Sequence, residues 1–186
     1  MILGVTGRVG SGKSTAQSIL MSIKEWWLAD LDMIGHELLK NQFIKDQLVH
    51  LFGNILLKKE SIDRKELGQL VFNNRENLRK LNHLMHPKIK QKVLDLISAN
   101  GNQDGLICGA LLEEIGLTPY CDKILVIDAI DNDIIGQIGN KFYSISKYQK
   151  TKQQYIKAAD MVVNNKFNGN LKSDIITCFE KNGLKL

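Results

Sequence analysis

The stretch from Gly7 to Thr15 reads GRVGSGKST, and it confines the chain to very few folds. Before it stands MILGV, an apolar run of strand length. After it comes STAQSILMSIK, with Ile19, Leu20 and Ile23 at helical spacing. The pattern Gly-x-x-x-x-Gly-Lys-Ser between a buried strand and a helix is the context that distinguishes a phosphate-binding loop from a chance match. Gly7, Gly10 and Gly12 allow backbone N–H groups to curl around phosphate oxygens, helped by the positive end of the helix that follows. The expected phosphate cradle is Gly10, Ser11, Gly12, Lys13, Ser14 and Thr15. Lys13 is expected to reach the terminal phosphates of a nucleoside triphosphate, and the Ser14 hydroxyl is the expected Mg²⁺ ligand. A plain glycine-rich turn is the lesser reading, because the anchors and both flanks match.

Five short apolar runs, MILGV, EWWLAD, GLICGA, KILVIDA and DMVVN, are continuous rather than alternating. Such runs suit the strands of a parallel sheet covered by helices on both faces. The expected fold class is therefore α/β, a three-layer phosphate-loop core with a five-stranded parallel sheet. Between the second and third runs lies a block that reads as purely helical. Leu67, Leu70 and Val71 recur at i, i+3 and i+4, Leu78, Leu81 and Met85 follow with one slip, and Ile89, Val93, Leu96 and Ile97 mark a further stripe. Residues 33–100 are thus expected to form a substrate-binding insertion. A shorter excursion, 131–157, falls where nucleotide kinases carry a lid. The core is expected from 1–32, 101–130 and 158–186, its closing helix marked by Leu171, Ile175 and Phe179.

A chain of 186 residues buries one good core rather than two large independent ones. No run approaches membrane-spanning length, and the N-terminal residues lack the pattern of a signal peptide. Cys108, Cys121 and Cys178 are scattered without paired metal spacing, and are read as buried small apolar residues of a reduced cytoplasmic protein. The net charge of +5 is spread through helical segments beside Glu and Asp, with no basic tail or aromatic-basic motif. That balance argues against a nucleic-acid partner and suits polyphosphate ligands. A monomer is expected.

The second strand ends LADLD, which places Asp30 and Asp32 at its C-terminal edge, where ligands of open α/β sheets bind. Read as extended chain, both carboxylates face the triphosphate site, one of them to accept a proton from an incoming hydroxyl. The competing reading makes Asp32 the N-cap of the helix DMIGHELL.

Four stretches in this order, GVTGRVGSGKST, ADLDMIGHELL, IDRKELGQLVF and LNHLMHPKI, resemble the dephospho-coenzyme A kinase family. Weaker echoes in ALLEEIGL and YQKTKQQYIKAADMVVNN extend the resemblance to about Asn165. The resemblance implies transfer of the ATP γ-phosphate to the 3′-hydroxyl of dephospho-coenzyme A, with Mg²⁺. It implies Asp32 as the residue activating the ribose hydroxyl, and Arg64, His86 and Pro87 as positions lining the acceptor site. Taken alone, Arg64 is a basic residue near a helix start, His83 and His86 form an incomplete metal pair, and Pro87 begins a helix.

The chain departs from that family at three places. Cys108 stands where many relatives have an acidic residue, leaving Asp32, Asp30 or Asp128 to serve Mg²⁺ through water, and Ala110 stands where they have proline. The lid segment DNDIIGQIGNKFYSISKYQK holds no arginine. Gln137 falls near the expected position, and Lys141 or Lys147 is left to supply charge, without arginine's bidentate fork. Two rival readings follow: a phosphate-loop kinase for another small nucleotide-like acceptor, and a nucleotide-binding pseudokinase with a regulatory role.

Overall fold

Each of the apolar runs becomes a strand of one parallel five-stranded sheet in the computed structural model, which describes residues 1–186. Strand β1 (Ile2–Thr6) leads through the glycine-rich loop into α1 (Lys13–Ile23), and β2 (Trp27–Asp30) follows. Next come α2 (Leu31–Leu38), α3 (Gln42–Phe52), a short hairpin of β3 (Leu57–Lys58) and β4 (Ser61–Ile62), then α4 (Arg64–Phe72) and α5 (Arg75–Asn100). The chain returns to the sheet with β5 (Gly105–Cys108) and β6 (Lys123–Asp128). It then passes through α6 (Asp131–Ile138), α7 (Lys141–Ser146) and α8 (Lys152–Lys157), and closes with β7 (Met161–Asn164) and α9 (Leu171–Lys181).

The strand order is β2-β5-β1-β6-β7, with every pairing parallel. β2 and β5 therefore lie on one side of β1 and β6 and β7 on the other, so the strand order reverses at β1. The crevice beyond the C-terminal edge at such a reversal is where open α/β sheets take their ligands. The glycine-rich loop leaves β1 at that place.

Successive side chains of a strand point to opposite faces, and here both faces are buried. Leu106 and Cys108 of β5 with Leu125 and Ile127 of β6 pack against Ala16 and Leu20 of α1 and Ile175 and Phe179 of α9. On the other face Ile107, Ile124 and Val126 join Ile44 and Leu48 of α3, Leu67 and Val71 of α4, and Met85, Ile89 and Val93 of α5. The helices between β2 and β5 thus share their core with the sheet. No helix is long and apolar enough to cross a membrane.

The structure corrects three expectations. The block between β2 and β5 is not purely helical, because it contains the hairpin in which Leu57 pairs with Ile62 and Lys58 with Ser61. Strands this short carry no readable period, and the turn residues Lys59 and Glu60, at φ 48° and 64°, are not glycines that would announce it. Pro87 does not begin a helix, since α5 runs through it without a break. A proline removes one backbone donor; the buried stripe Met85, Ile89, Val93, at i, i+4 and i+8, holds both halves of the helix on the core. Of the cysteines, only Cys108 is buried; Cys121 and Cys178 are partly exposed.

Leu48 is fully buried where α3 meets the sheet core. Leu48→Ala is expected to lower stability by about 2–5 kcal/mol. Because the core is continuous, calorimetry should show one transition shifted to lower temperature. A separate early transition for the inserted helices would refute that continuity.

Candidate active site

The loop between β1 and α1 is shaped by its glycines. Gly10 and Gly12 sit at φ 74° and 102°, in the left-handed region that side chains resist. A Cβ on Gly12 would also lie 2.2 Å from the Asn165 amide nitrogen. That amide donates to Ser11 O at 3.0 Å, and Asn165 Oδ1 accepts from Phe167 N at 3.0 Å. Asn165, just beyond β7, therefore pins the loop from across the sheet. Lys13 opens α1, half-buried, and its Nζ donates to Arg8 O at 2.9 Å. Burial lowers the Lys13 pKa, while Asp32 is among the charges that oppose the shift. Ser14 and Thr15 lie exposed on the first turn of α1.

Arg8 is buried beneath the loop and anchors it. Its Nη1 donates to Asp131 Oδ1 at 2.6 Å, and its Nη2 donates to Ala129 O at 2.6 Å and to Asp128 Oδ1 at 3.3 Å. The other Asp128 oxygen meets Lys152 Nζ at 2.5 Å. One buried carboxylate thus ties together the loop, the end of β6, and the starts of α6 and α8. Two cations around it offset the cost of burying charge. Sequence reasoning passed over Arg8, although its place inside the loop was visible. Asn165 gave no local signal, because its contact with Ser11 spans 154 residues.

The acidic pair after β2 divides. Asp30 is the N-cap of α2: its Oδ1 accepts from the N–H groups of Asp32 and Met33, both at 3.0 Å. The helix begins at Leu31, so the segment is not extended and the two carboxylates do not share a direction. The capping role expected for Asp32 belongs to Asp30. Asp32 instead lines a cavity of about 530 Å³ with Gly10, Gly12, Lys13, Ser14 and Thr15. Its carboxylate takes part in no ion pair.

Cys108 cannot replace a carboxylate. Burial pushes its thiol up to about 12, against the pull of the Lys13 ammonium, so it stays neutral. Asp128 is committed to Arg8 and Lys152. Among the side chains lining the cavity Asp32 is thus the one carboxylate, with hydroxyls from Ser14 and Thr15 on the loop side, a hard, sparse set. It fits Mg²⁺ held mainly by water and phosphate oxygens rather than by a protein cage.

The far wall of the cavity comes from Phe72, Gln137, Ile145, Tyr148 and Gln149. Gln149 Oε1 accepts from Val9 N at 2.9 Å, and the Tyr148 hydroxyl donates to Phe72 O at 2.5 Å. The segment after α7 therefore straps the loop to the end of α4, which the sequence did not announce. Of the lid residues singled out earlier, Gln137 lines this cavity and neither Lys141 nor Lys147 does. Lys147 Nζ sits 4.8 Å from the Tyr148 ring centroid, and Lys141 is exposed at the start of α7. Arg64, His86 and Pro87 also stand apart. Arg64 lines a different groove with His36 and Lys45. His86 is half-buried on α5; burial lowers its pKa, and the Glu114 backbone opposes the shift.

A phosphate loop at the reversal of a parallel sheet, with a free carboxylate on the same cavity, defines a phosphate-loop kinase fold. More narrowly, the chain belongs to the dephospho-CoA kinase family, whose model matches residues 1–171. It is 34% identical over 179 residues to the dephospho-CoA kinase of Fusobacterium nucleatum, covering 90% of this chain and 91% of that protein. Its fold is similar to that of a Thermus thermophilus protein, with TM-score 0.82, 22% identity, and coverage of 98% of this chain and 97% of that one. It is also similar to the dephospho-CoA kinase of Campylobacter jejuni, with TM-score 0.68, 24% identity, and coverage of 97% and 96%.

Removing Arg8 leaves the Asp128 carboxylate buried with one cation fewer. Arg8→Met is expected to cost about 3–5 kcal/mol and to weaken ATP binding, because the loop loses its anchor. Thermal melts and nucleotide titration of the purified variant check both. Unchanged stability would show that the cluster is not a support.

Proposed function

We propose that this chain transfers the γ-phosphate of ATP to the 3′-hydroxyl of dephospho-coenzyme A, giving coenzyme A and ADP. The observation that carries the proposal is the division of labour among carboxylates. Asp30 caps a helix, Asp128 neutralises Arg8 and Lys152, and Asp32 alone of the three is unengaged on the phosphate cavity. In this reading residues 1–32, 101–130 and 158–186 hold the nucleotide, residues 33–100 hold the acceptor, and residues 131–157 cover them.

The 3′-oxygen of the acceptor forms a bond to the γ-phosphorus while the bond from that phosphorus to the β–γ bridging oxygen breaks. Asp32 accepts the hydroxyl proton, and ADP leaves with the bridging oxygen. Lys13 exchanges its bond to Arg8 O for the terminal phosphates, where its charge opposes the negative charge on the moving group. Loop N–H groups from Gly10 to Thr15 orient the phosphates. Ser14 and Asp32 would hold Mg²⁺ with the nucleotide, and the ion would supply further charge neutralisation. Arg64, His86 and Pro87 belong to the acceptor side by resemblance, at positions outside the phosphate cavity. Gln137 faces the phosphates from the lid, and Lys141 and Lys147 reach them only if the lid moves.

A coupled ADP-release assay with ATP, Mg²⁺ and dephospho-coenzyme A tests the reaction. Asp32→Asn should lower kcat by ~10²–10⁴ with little change in ATP affinity, as expected for loss of a general base. Asp30→Ala should do the opposite, costing about 1 kcal/mol of stability as a lost N-cap while most of kcat remains. If parent protein released no ADP with this acceptor but did so with another nucleotide-like alcohol, the assigned acceptor would be wrong. If Asp32→Asn kept full kcat, the proton would leave by another route.

A further inference from the structure

A second groove, of about 620 Å³, opens beside the phosphate cavity between the first turns of α5 and the end of α7. Arg75, Arg79, Asn82 and Lys147 line it, and Tyr148 and Gln149 line both spaces as a shared wall. None of its three cations is in an ion pair. The groove's carboxylate, Glu76, is held by Lys80 at 3.1 Å, and Lys147 rests over the Tyr148 ring.

The placement of these arginines is locally unfavourable. Arg75 is the first residue of α5, at the positive end of the helix dipole, where cations are disfavoured. Arg79 follows at i+4, so two like charges lie on one helix face. Composition does not explain the pair, because the chain has only four arginines among 25 lysines and arginines. A solvated helix face would be served by lysine. A residue choice that breaks local rules without a local gain points to a functional site. The guanidinium fork is built for paired phosphate oxygens.

We propose that this groove is a diphosphate site, and that it holds the diphosphate of the acceptor while Asp32 faces the acceptor's ribose. The proposal rests on the function proposed above. In dephospho-coenzyme A the diphosphate and the reacting hydroxyl are carried by the same ribose, so their sites must adjoin. The shared wall of Tyr148 and Gln149 makes these two spaces adjoin. The same chemistry would also suit the phosphates of ATP, and the test separates the two sources.

Arg75→Gln, Arg79→Gln and the double variant are compared with parent protein in steady-state kinetics. The double variant should raise KM for dephospho-coenzyme A about tenfold or more, as expected for loss of charge-assisted bonds to bound substrate, and leave KM for ATP unchanged. Adenosine, an acceptor without the diphosphate, should be used equally by parent and variant. Binding of inorganic pyrophosphate is measured separately by calorimetry in a Lys13→Ala background, which weakens the phosphate loop as a competing site. The heat should vanish when both arginines are also replaced. A rise in KM for ATP instead would assign the groove to the nucleotide and overturn the proposal, as would unchanged kinetics and pyrophosphate binding. If the parent failed to phosphorylate dephospho-coenzyme A yet pyrophosphate binding still depended on the arginines, the diphosphate site would stand and the assigned acceptor would fall.

Discussion

The phosphate loop is held by one buried carboxylate. Asp128, at the end of β6, is almost fully buried and takes charge from Arg8 on one side and Lys152 on the other. Arg8 belongs to the loop, Lys152 opens α8, and Asp131, which shares the Arg8 guanidinium, opens α6. The loop and the starts of α6 and α8 are therefore supported by the same ion cluster. An isolated surface pair contributes little, but removing one member of a buried cluster strands the others without compensation. Displacing the starts of α6 and α8 would disturb the support of the loop.

The consequence for catalysis lies in which carboxylate is left over. Three aspartates near the C-terminal edge of the sheet were open to serve Mg²⁺ or the acceptor hydroxyl. The structure assigns Asp128 to the cluster and Asp30 to the helix cap. Cys108, which β5 places opposite Asp30, is a neutral thiol and adds no charge. Asp32 remains, exposed on the cavity that Lys13 and Ser14 also line.

Most of the fold was legible because its signals are local. Continuous apolar runs announced the strands, and the glycine spacing placed the loop between β1 and α1. The assignment of Asp30 and Asp32 was less legible, since it depends on one residue. Had the helix begun at Met33, Asp32 would have been its cap; it begins at Leu31, and Asp30 takes that role. Pro87 misled for the opposite reason. A local rule predicted a break, and the buried stripe from Met85 to Val93 overrode it. The Arg8 cluster, the Asn165 clamp and the Tyr148–Gln149 strap all join residues distant in sequence. No window of sequence contains both halves of any of them.

The strap and the loop also decide how the site meets its ligands. Val9 N is already bonded to Gln149, and Lys13 to Arg8 O. A phosphate entering the loop exchanges for these two bonds, while the N–H groups of Gly10, Gly12, Lys13, Ser14 and Thr15 have no partner in the loop and are open to it. The bonds that are exchanged yield little net free energy. Charge adds to the open donors: Lys13, the N-terminal turn of α1, and beyond Tyr148 the unpaired Arg75 and Arg79. Residues 131–157 contribute no arginine to that field. Positive charge stands instead on the first turns of α5. The phosphate cavity is thus served by a loop lysine on one wall and adjoined by an arginine pair on the other, with Tyr148 and Gln149 between them.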